Sequence, residues 1–276
     1  MKPASRFARV SLTVSRIDAA ERFYCAALGF ERVAIAAPLA HVFGGGVRVH
    51  GIVLRLGLQE IELLAFDPPG APYPPHSTAA DAWFQHFAIV VDDMARAHAH
   101  LVAHGGFTPI TLGGPQTLPA NTGGVAAFKF RDPDGHPLEL LHFPALMRPP
   151  AWRARRGGLF LGIDHSAIVV ADCGASRAFY ESLGLSTGGH SLNTGDEQAR
   201  LDALDGPVVE VLALHPAAEP TPHVELLAYR SPRVRRRPFP PEENDIAATR
   251  MVFAADGGGE GARTVLDPDG HRLVLT

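Results

Sequence analysis

The chain repeats one strand-and-helix pattern, and that repetition limits its fold more than any other feature. FARVSLTVSRIDAAERFYCAALGF (7–30) matches IDHSAIVVADCGASRAFYESLGL (163–185) in plan. Each opens with alternating apolar residues, the period of a half-buried strand. A polar break follows, then an amphipathic helix that carries Phe-Tyr and ends at Leu-Gly. Gly29 and Gly184 stand where a helix end turns to positive φ. FQHFAIVVDDMARAHAHLVAHGGF (84–107) has the same plan, with Gly105-Gly106 at the helix end, and TRMVFAADGGGEG (249–261) keeps the strand but sets glycines where the helix should run. Shorter strands follow each unit and finish in IELLAF (61–66), LELLHF (138–143), VELLAY (224–229) and LVLT (273–276). The unit is strand–helix–strands, present four times with the fourth copy eroded. Its boundaries are roughly 6–67, 83–144, 160–230 and 245–276.

Proline-rich links separate the copies. DPPGAPYPPHS (67–77) lies between the first two, and FPALMRPPAW (143–152) divides the chain into halves, 1–150 and 151–276. RSPRVRRRPFPPEE (230–243) precedes the last copy and holds the one basic cluster, Arg233, Arg235, Arg236 and Arg237, which reads as a solvated loop. A net charge of −4 argues against nucleic acid as the main partner. The two cysteines, Cys25 and Cys173, form no CxxC, which argues against a disulfide framework or a Cys-rich zinc fold and fits a reducing cytoplasm. No apolar run is long enough to span a membrane, and MKPASRFARV lacks a signal-peptide core. The expectation is a soluble cytoplasmic protein with no nucleic-acid or membrane partner.

The stretch RDPDGHPLELLHF (131–143) nearly recurs as LDPDGHRLVLT (266–276), but Glu139 of the first copy is Val274 in the second. Proline presets φ, and Asp-Gly supplies a residue tolerant of positive φ, so Asp-Pro-Asp-Gly is hairpin chemistry. His136 and His271 belong to that turn and read as structural. The acid beyond the turn is a separate feature. His98, His100 and His104 on the second helix read as a solvated face.

Four such units, the helix ends FYCAALGF (23–30) and FYESLGL (179–185), and the strand DPDGHPLEL (132–140) together resemble the vicinal oxygen chelate superfamily. That group includes glyoxalase I, bleomycin-resistance proteins, methylmalonyl-CoA epimerase and extradiol dioxygenases. The resemblance implies an α+β fold in which four βαβββ modules, the fourth degenerate, form two paired cupped mixed sheets. It implies a metal ligand from each module's first strand, usually His or Gln, and one from its last strand, usually Glu. Those places hold Arg9 and Glu62, His86 and Glu139, His165 and Glu225, and Arg250 and Val274. The residues give this rule physical sense. His86 and His165 are polar residues in apolar strands, and Glu139 points opposite to Leu138 and Leu140. A buried carboxylate needs a partner, and a metal ion is one.

Module pairing decides the site. Pairing neighbours puts two histidines in neither cup. Pairing the second module with the third collects His86, Glu139, His165 and Glu225, and leaves both arginines and the valine to a metal-dead cup, with Arg9 and Arg250 free to form a buried ion network with Glu62. The resemblance then implies one divalent metal ion (Fe, Ni, Zn, Mn or Co) and a small-molecule substrate with vicinal oxygens. Proton-transfer isomerase or lyase chemistry follows, with Glu139 or Glu225 as catalytic base. Alternatives are an Fe(II) extradiol-type dioxygenase and a non-enzymatic ligand-sequestering protein. Asn193, Glu197, Gln198 and Tyr229 are expected to line the cup toward substrate; the competing reading of 191–206 is a turn opening a short helix with Asp196 as its cap. The chain is expected to act as a monomer or homodimer.

Overall fold

The structure, a computed structural model, describes residues 4–35, 48–155, 157–236, 240–255 and 261–276. Module one comprises β1 (Ala4–Thr13), α1 (Ile17–Leu28), β2 (Glu31–Ile35), β3 (Arg48–Leu56) and β4 (Gln59–Asp67). Module two comprises β5 (Gln85–Val91), α2 (Met94–His104), the short β6 (Thr108–Pro109) and β7 (Gln116–Thr117), β8 (Ala126–Arg131) and β9 (Pro137–His142). After α3 (Pro150–Arg153) comes module three: β10 (Phe160–Val169), α4 (Cys173–Ser182), β11 (Ser186–Asn193), α5 (Asp196–Asp202), β12 (Val208–His215) and β13 (His223–Ser231). Module four contributes β14 (Arg250–Ala255), β15 (Arg263–Leu266) and β16 (Arg272–Leu275). The glycine run expected to replace its helix falls on 256–260, outside the described residues, as does Arg237 of the basic cluster.

The strands form two mixed sheets. One runs β15-β16-β14-β1-β4-β3-β2, and the other β11-β12-β13-β10-β5-β9-β8-β6, with β7 also on β8. Modules one and four therefore share a sheet, and modules two and three share the other. In each sheet the two first strands meet antiparallel at the centre, β1 on β14 and β5 on β10. Each of these has its own module's last strand beside it in parallel: β4, β16, β9 and β13. The four strands that carry the ligand places of a module pair are thus adjacent. One apolar core takes Phe7 and Phe253 from the first sheet, Phe87 and Phe128 from the second, and Phe23, Tyr24 and Tyr180 from α1 and α4.

The Asp-Pro-Asp-Gly turns work as expected and do more. Gly135 and Gly270 take φ of 97° and 90°. The Asp132 carboxylate accepts from the backbone N–H groups of Asp134 and His136, both at 2.9 Å, from His136 Nδ1 at 2.9 Å and from the Tyr24 hydroxyl at 2.8 Å. Asp267 repeats the pattern with the Asp269 and His271 N–H groups at 2.9 Å and the Tyr180 hydroxyl at 3.2 Å. The tyrosine of each Phe-Tyr helix thus docks on the next module's turn. Module one is tied to two and three to four by turns, while the sheets tie two to three and one to four. His136 and His271 are structural: His136 Nε2 faces the Ile246 carbonyl, and His271 Nε2 the Val169 carbonyl.

Three details differ from expectation. Arg235 is not merely solvated; it grips the buried Asp81 with both Nε and Nη2 at 2.7 Å and lies over Trp83. Gly184 (φ 97°) stands one residue beyond the helix-ending Leu183, whereas Gly29 itself ends α1 in the left-handed region. Short α5 does form, but Gly195 rather than Asp196 stands at its N-cap.

Candidate metal centre

Register puts the four predicted side chains on one face. Ala88 pairs with Glu139 on β9 and with His165 on β10, while Ala167 pairs with Glu225 on β13 and with His86 on β5. Side chains two residues apart share a face, so His86, Glu139, His165 and Glu225 surround two alanines too small to fill the space between them. The opposite face, with Phe87, Ile89, Leu138, Leu140 and Ile163, enters the main core.

Three of the four converge: His86, Glu139 and His165 each offer an atom within 4.8 Å of the others, and Glu225 adjoins this group through His165. His86 Nε2 lies 3.0 Å from Glu139 Oε2. His165 Nε2 lies 3.6 Å from Glu139 Oε2 and 3.5 Å from Glu225 Oε2. Both imidazoles are buried, and among the described residues His165 Nε2 has no hydrogen-bond partner. Adjacent ligands of one ion with bonds of about 2.1 Å sit about 3 Å apart in an octahedral set. The donor spacings are near this, and two imidazoles with two carboxylates suit Zn, Ni, Fe, Mn or Co. The set fits a divalent ion, as the unpartnered His165 Nε2 between two carboxylates indicates. These atoms line a cavity of about 190 Å³.

The protein's own charges explain the electrostatics. Burial pushes His86 toward neutrality, against the pull of Glu139. Burial opposes charge on His165 too, but Glu225, Asp164 and Glu139 overcome it and hold its pKa well above the ordinary value. Burial works to raise the Glu139 carboxyl, yet the adjoining imidazoles of His165 and His86 and the charge of Lys129 hold it well below the usual range. Glu225 is lowered likewise: burial opposes ionisation, and His165 and His223 prevail.

Behind the ring of His165 stands a residue that sequence reasoning passed over. Asp164 Oδ2 faces His165 Nδ1 at 3.1 Å, and Asp164 Oδ1 accepts from Trp152 Nε1 at 2.6 Å. This fixes the ring so that Nε2 points into the cavity, the arrangement that orients metal-binding histidines. Among the described residues His86 Nδ1 has no such partner. His223 was also missed; its Nε2 lies 3.5 Å from Glu225 Oε1. It stands two residues before Glu225, so strand alternation alone could have placed it on this face.

The expected substrate-facing residues divide. Asn193, Gln198 and Tyr229 line the cavity. They are joined: Asn193 Nδ2 donates to Gln198 Oε1 at 3.2 Å, and Gln198 Nε2 and the Tyr229 hydroxyl donate to Asp202 Oδ2 at 2.7 and 2.8 Å. Glu197 does not line this cavity. One position round α5 from Gln198, it pairs with Arg200 at 3.8 Å. Its neighbour Gln198 takes the inward position because only one of two consecutive helical residues can face the sheet.

The other cup shows why Val274 replaces an acid. Arg9 pairs with Glu62 at 3.6 Å. Arg250, buried at its ligand place, donates to Thr13 Oγ1 at 3.0 Å, to the Ala248 carbonyl at 2.8 Å and to the Glu243 carbonyl, and lies over Phe66. Burial pulls its pKa down to about 10. A guanidinium there repels a cation and is served by carbonyls, so no acid is needed at 274.

Known proteins agree with this architecture. The family model described as Glyoxalase/Bleomycin resistance protein/Dioxygenase superfamily matches residues 6–140. No curated protein matches the sequence significantly. Among solved structures, glyoxalase I from Zea mays aligns over 98% of this chain and 91% of its own at 16% identity, with a TM-score of 0.60. A mutant of that enzyme aligns over 99% and 93% at 15% identity, with a TM-score of 0.61. A candidate dioxygenase from Bacillus subtilis aligns over 100% and 86% at 12% identity, with a TM-score of 0.56. At such identities these structures share the fold. Residues 6–140 thus match the glyoxalase/bleomycin resistance protein/dioxygenase superfamily, and the chain along its whole length shares the fold of these solved structures.

Proposed function

We propose that the protein is a cytoplasmic metal-dependent enzyme acting on a small substrate with two adjacent oxygens, by proton transfer of the isomerase or lyase type. The observation that carries this is the unpartnered His165 Nε2, buried between Glu139 and Glu225 and opposite His86. His86, Glu139, His165 and Glu225 would hold the ion. Bound there, a divalent metal supplies Lewis acidity that favours loss of a proton next to a carbonyl. The chain's own groups divide the rest of the work. Glu139 is the tighter carboxylate, held at 3.0 Å by His86, and it anchors. Glu225 is the looser, with 23% of its side chain exposed against 8% for Glu139, and none of its histidine contacts is shorter than 3.5 Å. It is the better base, with Oε2 or Oε1 taking the substrate proton and His223 Nε2 beside Oε1 to stabilise the charge. Asn193, Gln198 and Tyr229 position substrate, and the apolar wall of Leu118, Leu141 and Leu201 excludes water.

A second reading is favoured by His223. An Fe(II) ring-cleaving dioxygenase needs two histidines and one carboxylate, with a further acid–base group close by. His223 beside Glu225 could be that group. Elemental analysis after anaerobic purification separates the readings. About one nickel, zinc, cobalt or manganese per chain supports proton transfer. One iron with catechol-dependent oxygen uptake supports ring cleavage. No metal bound or taken up on titration removes both and leaves a ligand-sequestering protein.

A further inference from the structure

Lys129 is a buried charge that the ligand set does not use. It lies on β8 directly across from Glu139 of β9, yet its ion pair is with Asp202, Nζ to Oδ1 at 2.6 Å. Asp202 is fully enclosed and stands behind the cavity wall, while Lys129 forms part of that wall. Asp202 Oδ2 already accepts from Gln198 and Tyr229, so two neutral donors and one cation share this carboxylate. Burying an ion pair in place of apolar side chains is seldom a gain in stability. The pair is asymmetric about the cavity: Lys129, the positive partner, is part of its lining, and Asp202, the negative one, is not. An ammonium has three N–H donors, and among the described residues only Asp202 hydrogen-bonds to this one. The remaining donors are available to whatever fills the cavity.

We propose that Lys129 is the anion-recognition group of this site, and that the substrate carries a carboxylate or equivalent anionic oxygen next to its chelating oxygens, as 2-oxo and 2-hydroxy acids do. This rests on the reading of the cup as a substrate site. Asp202 positions Lys129, and Tyr229 and Gln198 hold Asp202. The small cavity limits the substrate to a compact acid, since ligand pockets for larger molecules run to about 300–1,000 Å³.

Pyruvate and 2,3-butanedione test this, being alike in size and vicinal oxygens and different in charge. Isothermal titration is run on the protein as purified and after EDTA treatment. The wild type should bind pyruvate at least about tenfold more tightly, the ratio of one hydrogen bond to a charged group. K129M/D202N removes both charges, leaves neither unpaired, and should erase the preference with melting temperature and metal content kept. D202N alone frees Lys129 from its counter-charge and should widen the preference. Failure of either probe to bind, equal binding by the wild type, or a preference surviving in K129M/D202N overturns the proposal. Absence of metal with a Lys129-dependent preference in EDTA-treated protein would instead refute only the metal chemistry.

Discussion

Two carboxylates of the same type, three strands apart, have different surroundings, and the different tasks proposed for them rest on that difference. E139Q removes the acid that His86 holds and should lose most bound metal in elemental analysis. E225Q should keep metal more nearly and lower turnover by about 10²–10⁴-fold, the usual contribution of a general base. Equal metal loss in both variants would reject the assignment. D164N tests the support behind His165: outer partners of metal-binding histidines typically change affinity by about 10–100-fold, so competition with a chromogenic chelator should show a loss in that range with the fold intact. His86, Glu139, His165 and Glu225 were named through the family resemblance, which points to the first and last strand of each module; a strand's period of two gave those places physical sense. That period also marks Lys129 in AAFKFR (126–131), and His223 two residues before Glu225. Asp202 carried no such mark, because its role depends on α5 folding back over β8, which only tertiary structure reveals. The place of Glu197 outside the cavity lining was hidden for the same reason: in a short loop helix, the inward position is set by docking, not by polarity.

At the scale of elements, the Phe-Tyr helix end and the Asp-Pro-Asp-Gly turn are two halves of one joint. Both were legible as separate motifs, but their contact was not, since Tyr24 and Asp132 are far apart in sequence and belong to different modules. Y24F and Y180F should each cost about 1 kcal/mol, the net worth of a hydrogen bond. The two should add in the double variant, because the joints share no partner; urea unfolding measures both. The first joint also titrates. His136 Nδ1 faces a carboxylate and Nε2 a carbonyl, so both nitrogens must donate and the ring is an imidazolium. Burial opposes this charge, but Asp132 overcomes it and raises His136, while His136 and Tyr24 in turn lower Asp132 against its own burial. A raised histidine stabilises fully below its ordinary pKa of about 6.5 and loses that contribution as pH rises through its folded value. A lowered aspartate stabilises above about 3.9 and loses it as pH falls through its folded value. The melting-temperature gap between wild type and H136Q should therefore be widest near pH 5–6 and narrow toward alkaline pH. A gap that grows from pH 6 to 9 would reject the imidazolium.

For the whole molecule, two kinds of connection run across each other. Turn joints couple modules that are neighbours in sequence, and sheets couple modules that are not. The link at 143–152 is a plausible boundary by composition, and the joints respect it, but both sheets cross it through β1 on β14 and β5 on β10. Each half taken alone would keep its joint and expose two long strand edges, and unpaired edges invite pairing with another chain. The cup explains why the arrangement matters for function: residues 1–149 hold only His86 and Glu139, and 150–276 only His165 and Glu225. Coexpressed halves should therefore associate one to one and bind one metal ion per pair. The N-terminal half alone should either associate with itself along β5 or aggregate, and as a monomer should bind no metal ion stoichiometrically. Light scattering with in-line elemental analysis measures mass and metal together. A monomeric 1–149 carrying one tightly held ion would show that β10 and β13 are not needed. The four-residue site between modules two and three would then be wrong.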